Sequence, residues 1–390
     1  MKHNVLVIFV DELRKDALSI YGNNQVITPN LQRLAGLSTV YENHFCAYPV
    51  CTPSRYSQFC GMYANEHGVW SNKGTLSETL DTYPKIFRKN GYHTVALGKM
   101  HMTPTYLDVG FNEMLLAEQD GNGRFEDDYH TDLYRHQLVD RIDLVDQRAE
   151  YRKNAGKEYF ASFGTNVSDL PEAYHSTSWI TNHAVEQLEA WKEQGELLFV
   201  SYIKPHHPFD PLPRFVEAYK DMDIKLLPGY TETVPGFDYV YDHGYFDNVS
   251  LDISSLRKMT LHYYANITHI DEGIGRMLDV LEKRDLLHST LIVFTSDHGD
   301  YMGFHHMALK QNHMYDPLMS IPLIIKHVGQ ENRNEENALS DNTQLAHAIL
   351  EDVGLSDGCD MNHVGLEVDR SHVYGMYRHW LEVGYEDAYM

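Results

Sequence analysis

Residues 5–10, Val-Leu-Val-Ile-Phe-Val, constrain the fold of this chain more than any other stretch. An apolar, β-branched run with no polar alternation belongs to a strand covered on both faces, as in the middle of a parallel sheet. The run stops at Asp11-Glu12. Thr28-Pro29 then supplies an N-cap and a first-turn proline, followed by Leu31, Leu34, Ala35 and Leu37 at helical spacing. The same alternation recurs downstream. Residues 80–89 are predicted to form a helix stopped by Gly91, and residues 92–97 a strand ending at Gly98-Lys99-Met100-His101. A helix over 177–194, a strand over 197–203, a long helix over 256–284 and a strand over 291–295 follow, the last ending at Ser296-Asp297-His298-Gly299. This order predicts an α/β fold, a mainly parallel central sheet sandwiched by helices. Polar residues just past strand ends are where such sheets bind ligands.

Residues 105–175 and 211–253 are rich in Asp, Tyr, Gly and Pro with weak periodicity, and read as long excursions on the site face that set substrate choice. After Gly329 the chain is polar before a last helical segment near 344–350. We therefore divide it into a larger α/β domain, 1–328, and a short C-terminal subdomain, 329–390.

Charge narrows the partners. The 390 residues carry 32 Lys and Arg against 56 Asp and Glu, a net charge of −24, which opposes a nucleic-acid surface. A small anionic substrate is compatible, because a few cations in a pocket outweigh a distant field that salt screens over about 8 Å. No apolar run approaches the ~20 residues that cross a bilayer, so no membrane partner is expected. The first strand begins almost at Met1, without room for a secretory leader, and the expected compartment is cytoplasmic. Cys46, Cys51, Cys60 and Cys359 make no dense disulfide framework.

Several short segments carry chemistry. Cys51-Thr52-Pro53-Ser54-Arg55 puts a thiol at the mouth of a predicted helix, with a guanidinium one turn on. A helix N-terminus favours an anion, and Arg55 can steady it. Asp11-Glu12 and Asp297-His298 bring three carboxylates and an imidazole to two strand ends, a donor set for Ca2+, Mg2+ or Mn2+ rather than a thiolate zinc site. Read singly, the cysteine would be a buried thiol and each pair a cap or turn. Lys99 and His101, Lys204-Pro205-His206-His207-Pro208, and Lys310 add cations and imidazoles.

Together these segments are similar, in composition and order, to those of the type I, formylglycine-dependent sulfatases of the alkaline phosphatase superfamily. Cys51 to Arg55 matches the family signature Cys-x-Pro-Ser-Arg, and the resemblance runs from Asp11 to about Ile325. It implies an alkaline phosphatase-like fold and hydrolysis of a small-molecule or saccharide sulfate ester. It further implies that a formylglycine-generating enzyme oxidises Cys51 to formylglycine, whose hydrate attacks sulfur. Arg55 then helps hold the diol, with Ser54 a lesser contributor, and Lys99 neutralises sulfate oxygens. His101 assists deprotonation of the diol, His206 donates toward the leaving oxygen, and Lys310 is a second sulfate-binding cation. Asp11, Glu12, Asp297 and His298 bind one divalent ion, Ca2+ first, with Mn2+ or Mg2+ as alternatives. Asn72, in His67-Gly-Val-Trp-Ser-Asn72, is a substrate contact.

Glu12 departs from the usual second aspartate, which keeps open a phosphonate monoester or phosphodiester hydrolase on the same scaffold. A non-catalytic, metal-stabilised binding protein that retains the Cys51 thiol leaves the convergent Lys and His positions unexplained. Beyond Val328 the resemblance fades. Such enzymes carry a longer C-terminal subdomain with a small antiparallel sheet; here that part is either compact or replaced by a pocket wall from a neighbouring subunit of a homo-oligomer.

Overall fold

The apolar run forms β1 (Asn4–Asp11), every residue of it buried. A computed structural model describes residues 2–118, 127–138, 157–236, 238, 246–310, 313–356, 366, 368, 370–381 and 384–389. Within them β1 lies inside an eight-stranded sheet with β2 (Thr39–Tyr41), β4 (His93–Gly98), β5 (Glu113–Leu116), β6 (Glu196–Pro205), β7 (Thr290–Ser296), β8 (Leu323–Lys326) and β9 (Asn334–Glu336). The strand order is β5-β4-β6-β1-β7-β8-β2-β9. The five strands from β5 to β7 are mutually parallel, whereas β8 is antiparallel to both β7 and β2. Val7 pairs with Phe199 of β6 and Val293 of β7, a register that brings the C-terminal ends of the central strands to one edge.

Alternation along β1 sorts its side chains into two cores. Leu6, Ile8 and Val10 pack with α1 (Pro29–Ala35), α4 (Asp128–Arg135), α5 (Ser176–Ala190) and α6 (Ile253–Lys283). Val5, Val7 and Phe9 pack with α2 (Cys51–Cys60), α3 (Tyr83–Lys89) and α7 (Leu345–Asp352). Burial on both faces is why the run tolerates no polar residue until its end.

Element boundaries follow capping chemistry. The helix expected from residue 80 begins at Tyr83, because the Thr82 hydroxyl accepts the Lys85 N–H at 3.4 Å and Pro84 fits the first turn. The helix expected to reach 194 stops at Ala190, where Trp191 turns extended and buries its indole. Asp252 caps α6 through the Ser255 N–H at 2.6 Å.

The expected boundary after residue 328 is not a break in packing. β9 extends the main sheet beside β2, β10 (Ser340–Asp341) pairs with β3 (His44–Phe45), and α7 fills the second core. The chain kept adding structure to this body because its second face, under β1 and β8, still needed cover. An antiparallel hairpin, β11 (Met376–Leu381) and β12 (Gly384–Tyr389), follows; the Met376 N–H donates to the Ala47 carbonyl at 2.8 Å, tying it to the loop before Cys51. Parts of the excursions expected over 105–175 and 211–253 lie outside the described residues, as does Cys359. No described helix is long and apolar enough to cross a membrane.

Because Ile8 is fully buried between helix layers, Ile8→Ala should lower unfolding stability by about 2–5 kcal/mol, read from the shift of the urea midpoint.

Candidate active site

The ends of β1, β4, β6 and β7 meet the first turn of α2, and the contacts there are built from opposite charges. Asp11 closes β1 with no exposure. Glu12 follows in the left-handed region, φ 58, a bend that frees its N–H to donate to Asp297 Oδ1 at 3.0 Å. Its carbonyl accepts the Tyr263 hydroxyl of α6 at 2.7 Å, and the Leu13 N–H donates to Ser296 Oγ at 3.1 Å. These bonds lock the end of β1 onto the end of β7. Asp297 Oδ1 also accepts the His298 N–H at 3.0 Å. His298 Nδ1 donates to the Gly299 carbonyl at 2.9 Å, leaving Nε2 to face the Cys51 sulfur at 3.2 Å.

Cys51 is the first residue of α2, and all ten residues of that helix are buried. Its Sγ lies 3.7 Å from Asp11 Oδ1. Neighbours in the helix hold it there. The Thr52 N–H donates to Asn72 Oδ1 at 3.1 Å, and the Thr52 hydroxyl to the His101 carbonyl at 2.6 Å. Ser54 Oγ donates to the Asp297 carbonyl at 2.6 Å and accepts from Asn342 Nδ2 at 2.8 Å. One turn on, Arg55 joins four strands or their ends: Nε to Asp297 Oδ2 at 3.0 Å, Nη1 to the Lys99 carbonyl at 2.7 Å and to Ser201 Oγ at 3.0 Å, and Nη2 facing Asp11 Oδ2 at 3.5 Å. Its guanidinium stacks on the Phe9 ring, 4.7 Å from the centroid.

Lys99 forms an ion pair with Asp11. On the opposite flank, Glu12 Oε2 accepts from Lys310 Nζ at 2.9 Å and lies 3.0 Å from His206 Nε2. Burial alone would raise both carboxyls, but the surrounding cations outweigh it and hold both well below the usual range. Lys99, His206, Arg55 and Lys310 do this for Asp11, and chiefly His206 and Lys310 for Glu12. Lys310 is raised in turn, because its electrostatic interactions with Cys51, Glu12 and Asp11 overcome its own desolvation.

His206 has both nitrogens against acceptors, Nδ1 on the His207 carbonyl at 2.7 Å and Nε2 on Glu12. That is how an imidazolium bonds, whereas burial pushes the ring down to about 4. A neutral ring would leave one bare nitrogen against an acceptor, either the His207 carbonyl or the Glu12 carboxylate, so these two contacts oppose the effect of burial. The His207 ring stacks on it at 4.4 Å.

The structure thus gathers Asp11, Glu12, Cys51, Arg55, Lys99, His206, Asp297, His298 and Lys310 by direct contacts, and links His101 through Thr52. Asn72 enters as a brace: its carbonyl oxygen is committed to the Thr52 N–H. Ligand atoms of Asp11, Cys51, Asp297 and His298 all lie within 4.8 Å of one another and are buried. Two carboxylates and an imidazole so close in a buried place fit one divalent cation. Glu12 groups instead with His206 and His207, yet its Oε1 is buried without a hydrogen-bond partner, an oxygen still available to an ion. Sequence reasoning missed Ser201 and Asn342. A serine inside the apolar run of β6 was a readable signal; Asn342 carried none, lying far from every motif.

A central parallel sheet between helix layers, with charged strand ends converging on one helix start, is the alkaline phosphatase-like fold. The phosphonate monoester hydrolase of Agrobacterium radiobacter superposes with a TM-score of 0.76 at 19% identity, over 98% of this chain and 81% of its own. A structure solved with its substrate D-glucosamine-2-N,6-O-disulfate gives 0.74 at 19% identity, over 100% and 87%. The Sulfatase family profile matches residues 3–355, and the chain belongs to that family. It is 29% identical over 346 residues to an arylsulfatase of Clostridium perfringens, covering 84% of this chain and 69% of that protein. With the choline-sulfatase of Rhizobium meliloti identity is 27% over 342 residues, 84% of this chain and 63% of the relative. The chain therefore spans about two thirds of the length of these curated relatives.

Arg55 neutralises two buried carboxylates, so Arg55→Met should cost about 3–5 kcal/mol in urea unfolding without added metal. An unchanged midpoint would show that the charges are compensated elsewhere.

Proposed function

We infer that this chain hydrolyses sulfate monoesters, with formylglycine made from Cys51 as the nucleophile. The observation that carries the reading is the position of Cys51: a sulfur at a buried helix start, 3.2 Å from His298 and 3.7 Å from Asp11, with Lys99 and Arg55 on the same Asp11 carboxylate. A plain structural thiol needs none of these charges. The family membership and the curated relatives, an arylsulfatase and a choline-sulfatase among them, support the same reaction.

Asp11, Asp297 and His298 would hold one divalent cation together with the modified residue 51, and Glu12 would join through Oε1. Bound there, a cation offsets the charge of an anionic ester beside carboxylates and acidifies a nearby hydroxyl. Formylglycine supplies a geminal diol where a thiol stands. The remaining work falls to the side chains of this chain. Arg55 and Lys99 hold positive charge at the floor of the site, where the diol and sulfate oxygens come to rest. Lys310 brings a second cation from the opposite wall, and the backbone N–H groups at the start of α2 add to that field. His206 stands ready to protonate the departing alcohol, with the Glu12 carboxylate 3.0 Å from Nε2 holding the ring in place. His101 takes a proton from the diol when sulfate leaves. Asn72 and Ser54 hold the first turn of α2 in register, Asn72 through its carbonyl oxygen, and the Asn72 amide nitrogen serves as the substrate contact. The alcohol half is a small molecule or saccharide.

A second reading has its own observation. Glu12 reaches away from the Asp11 and Asp297 pair toward His206 and Lys310, which changes the charge seen by the leaving group and suits a phosphonate monoester or phosphodiester. Both these substrates and a sulfate monoester carry one negative charge, so kcat/KM for each on one preparation separates the readings.

Protein made in a host able to form formylglycine is expected to show modified residue 51 by peptide mass spectrometry and to turn over an aryl sulfate. Full activity with an intact thiol would overturn the proposal. Asp297→Ala should lower aryl sulfate kcat by about 1,000-fold or more, and chelation should abolish turnover until Ca2+, Mn2+ or Mg2+ is restored. Retained activity in either case would exclude a metal-dependent mechanism.

A further inference from the structure

The turn that carries Lys99 and His101 off the end of β4 is held in an unfavourable shape by a residue outside every motif. His101 sits in the left-handed region, φ 55, a conformation that is strained for a non-glycine residue and persists only where the surroundings impose it. Glu118, two residues beyond β5, supplies the restraint. Its Oε1 accepts the Met100 N–H at 2.9 Å and the His101 N–H at 3.0 Å, and Oε2 lies 3.1 Å from the same His101 N–H. Glu118 is 2% exposed, so without it both donors would be stranded away from water.

The carboxylate is itself anchored. The Glu118 N–H donates to Asp127 Oδ2 at 2.7 Å, and Asp127 caps α4 and pairs with His130 Nδ1 at 2.7 Å. The Leu116 N–H donates to Asp128 Oδ2 at 2.8 Å, which fastens the end of β5 to the same helix start. From the other side the Thr52 hydroxyl holds the His101 carbonyl at 2.6 Å. The His101 residue is therefore gripped at its N–H by Glu118 and at its carbonyl by the residue after Cys51. Burial pushes the Glu118 carboxyl up from its ordinary range, while His101, the two N–H bonds and Lys99 draw it back.

We propose that Glu118 is the positioning residue of His101, its carboxylate fixing the left-handed turn that sets where the imidazole and the Lys99 ammonium stand relative to Cys51. The proposal rests on the sulfate-ester reading for its catalytic consequence and on the turn geometry for its structural one, and two measurements separate them. In the unmodified full-length chain, Glu118→Ala should speed amide hydrogen exchange at Met100 and His101 by about tenfold or more, leaving the amides of β1 and β7 unchanged. In protein bearing formylglycine, the same variant should lower aryl sulfate kcat by about 100-fold with KM within about threefold. Glu118→Gln, which keeps one acceptor oxygen, should recover about tenfold of that loss. Unchanged exchange at both amides, or a Gln variant no better than Ala with both losses matching the unfolded fraction, would overturn the assignment. Faster exchange in a chain whose wild type hydrolyses no sulfate ester would uphold the positioning role and reject the sulfate-ester reading alone.

Discussion

Two carboxylates, Asp11 and Asp297, are fully buried at adjacent strand ends, and the structure around them is arranged to make that tolerable. Ionised carboxylates in such a place cost several kcal/mol each unless paired. Arg55 reaches both, Lys99 takes Asp11, and the N–H groups of Glu12 and His298 take Asp297. Each of these partners arrives from a different element: α2, the end of β4, and the turns after β1 and β7. The charge cluster consequently fixes how α2 sits on the sheet, and with it the location of Cys51. A divalent ion would complete the same balance, which is why the site reads as built for a cation as much as for an anionic ester.

The rest of the fold serves this convergence. Continuous apolar strands let helices cover both faces, so that only the strand ends can hold polar groups. Neighbouring elements then brace the loops. Tyr263 of α6 holds the carbonyl of Glu12, Ser201 of β6 holds Arg55, and Asn342 holds Ser54. None of these three contacts the Cys51 sulfur directly; each fixes a residue of the β1 turn or of the α2 helix that places Asp11 and Cys51. Local strain at Glu12 and His101 is confined to the turns that aim side chains at the site, where surrounding bonds outweigh it.

The site has two halves of unequal character. The half around Asp11, Asp297, His298 and Cys51 is the compact donor set shared in order with the sulfatase motifs. The half around Glu12, His206 and Lys310 carries the departure, a glutamate whose longer arm reaches the wall where a leaving group would sit.

The sequence by itself determined the α/β order, the position of most strands and helices, and the motif residues, because burial period, caps and the Cys51-to-Arg55 signature are local signals. It also led to the assignment of Lys99, His206 and Lys310 to one site, through the order of segments along the chain. Only the tertiary structure decided that Asn72 braces Thr52, that Glu12 turns to His206 and Lys310, and that residues 334–352 belong to the main body. Those outcomes depend on which strands become neighbours. Parallel pairing brings residues nearly 300 positions apart into hydrogen-bond range, as with Asp297 and Glu12, and no local periodicity encodes which partner a buried polar atom will find. Asn342 and Glu118 escaped notice for that reason, and Ser201, although it interrupts an apolar strand, gains its role only when the fold sets it against Arg55.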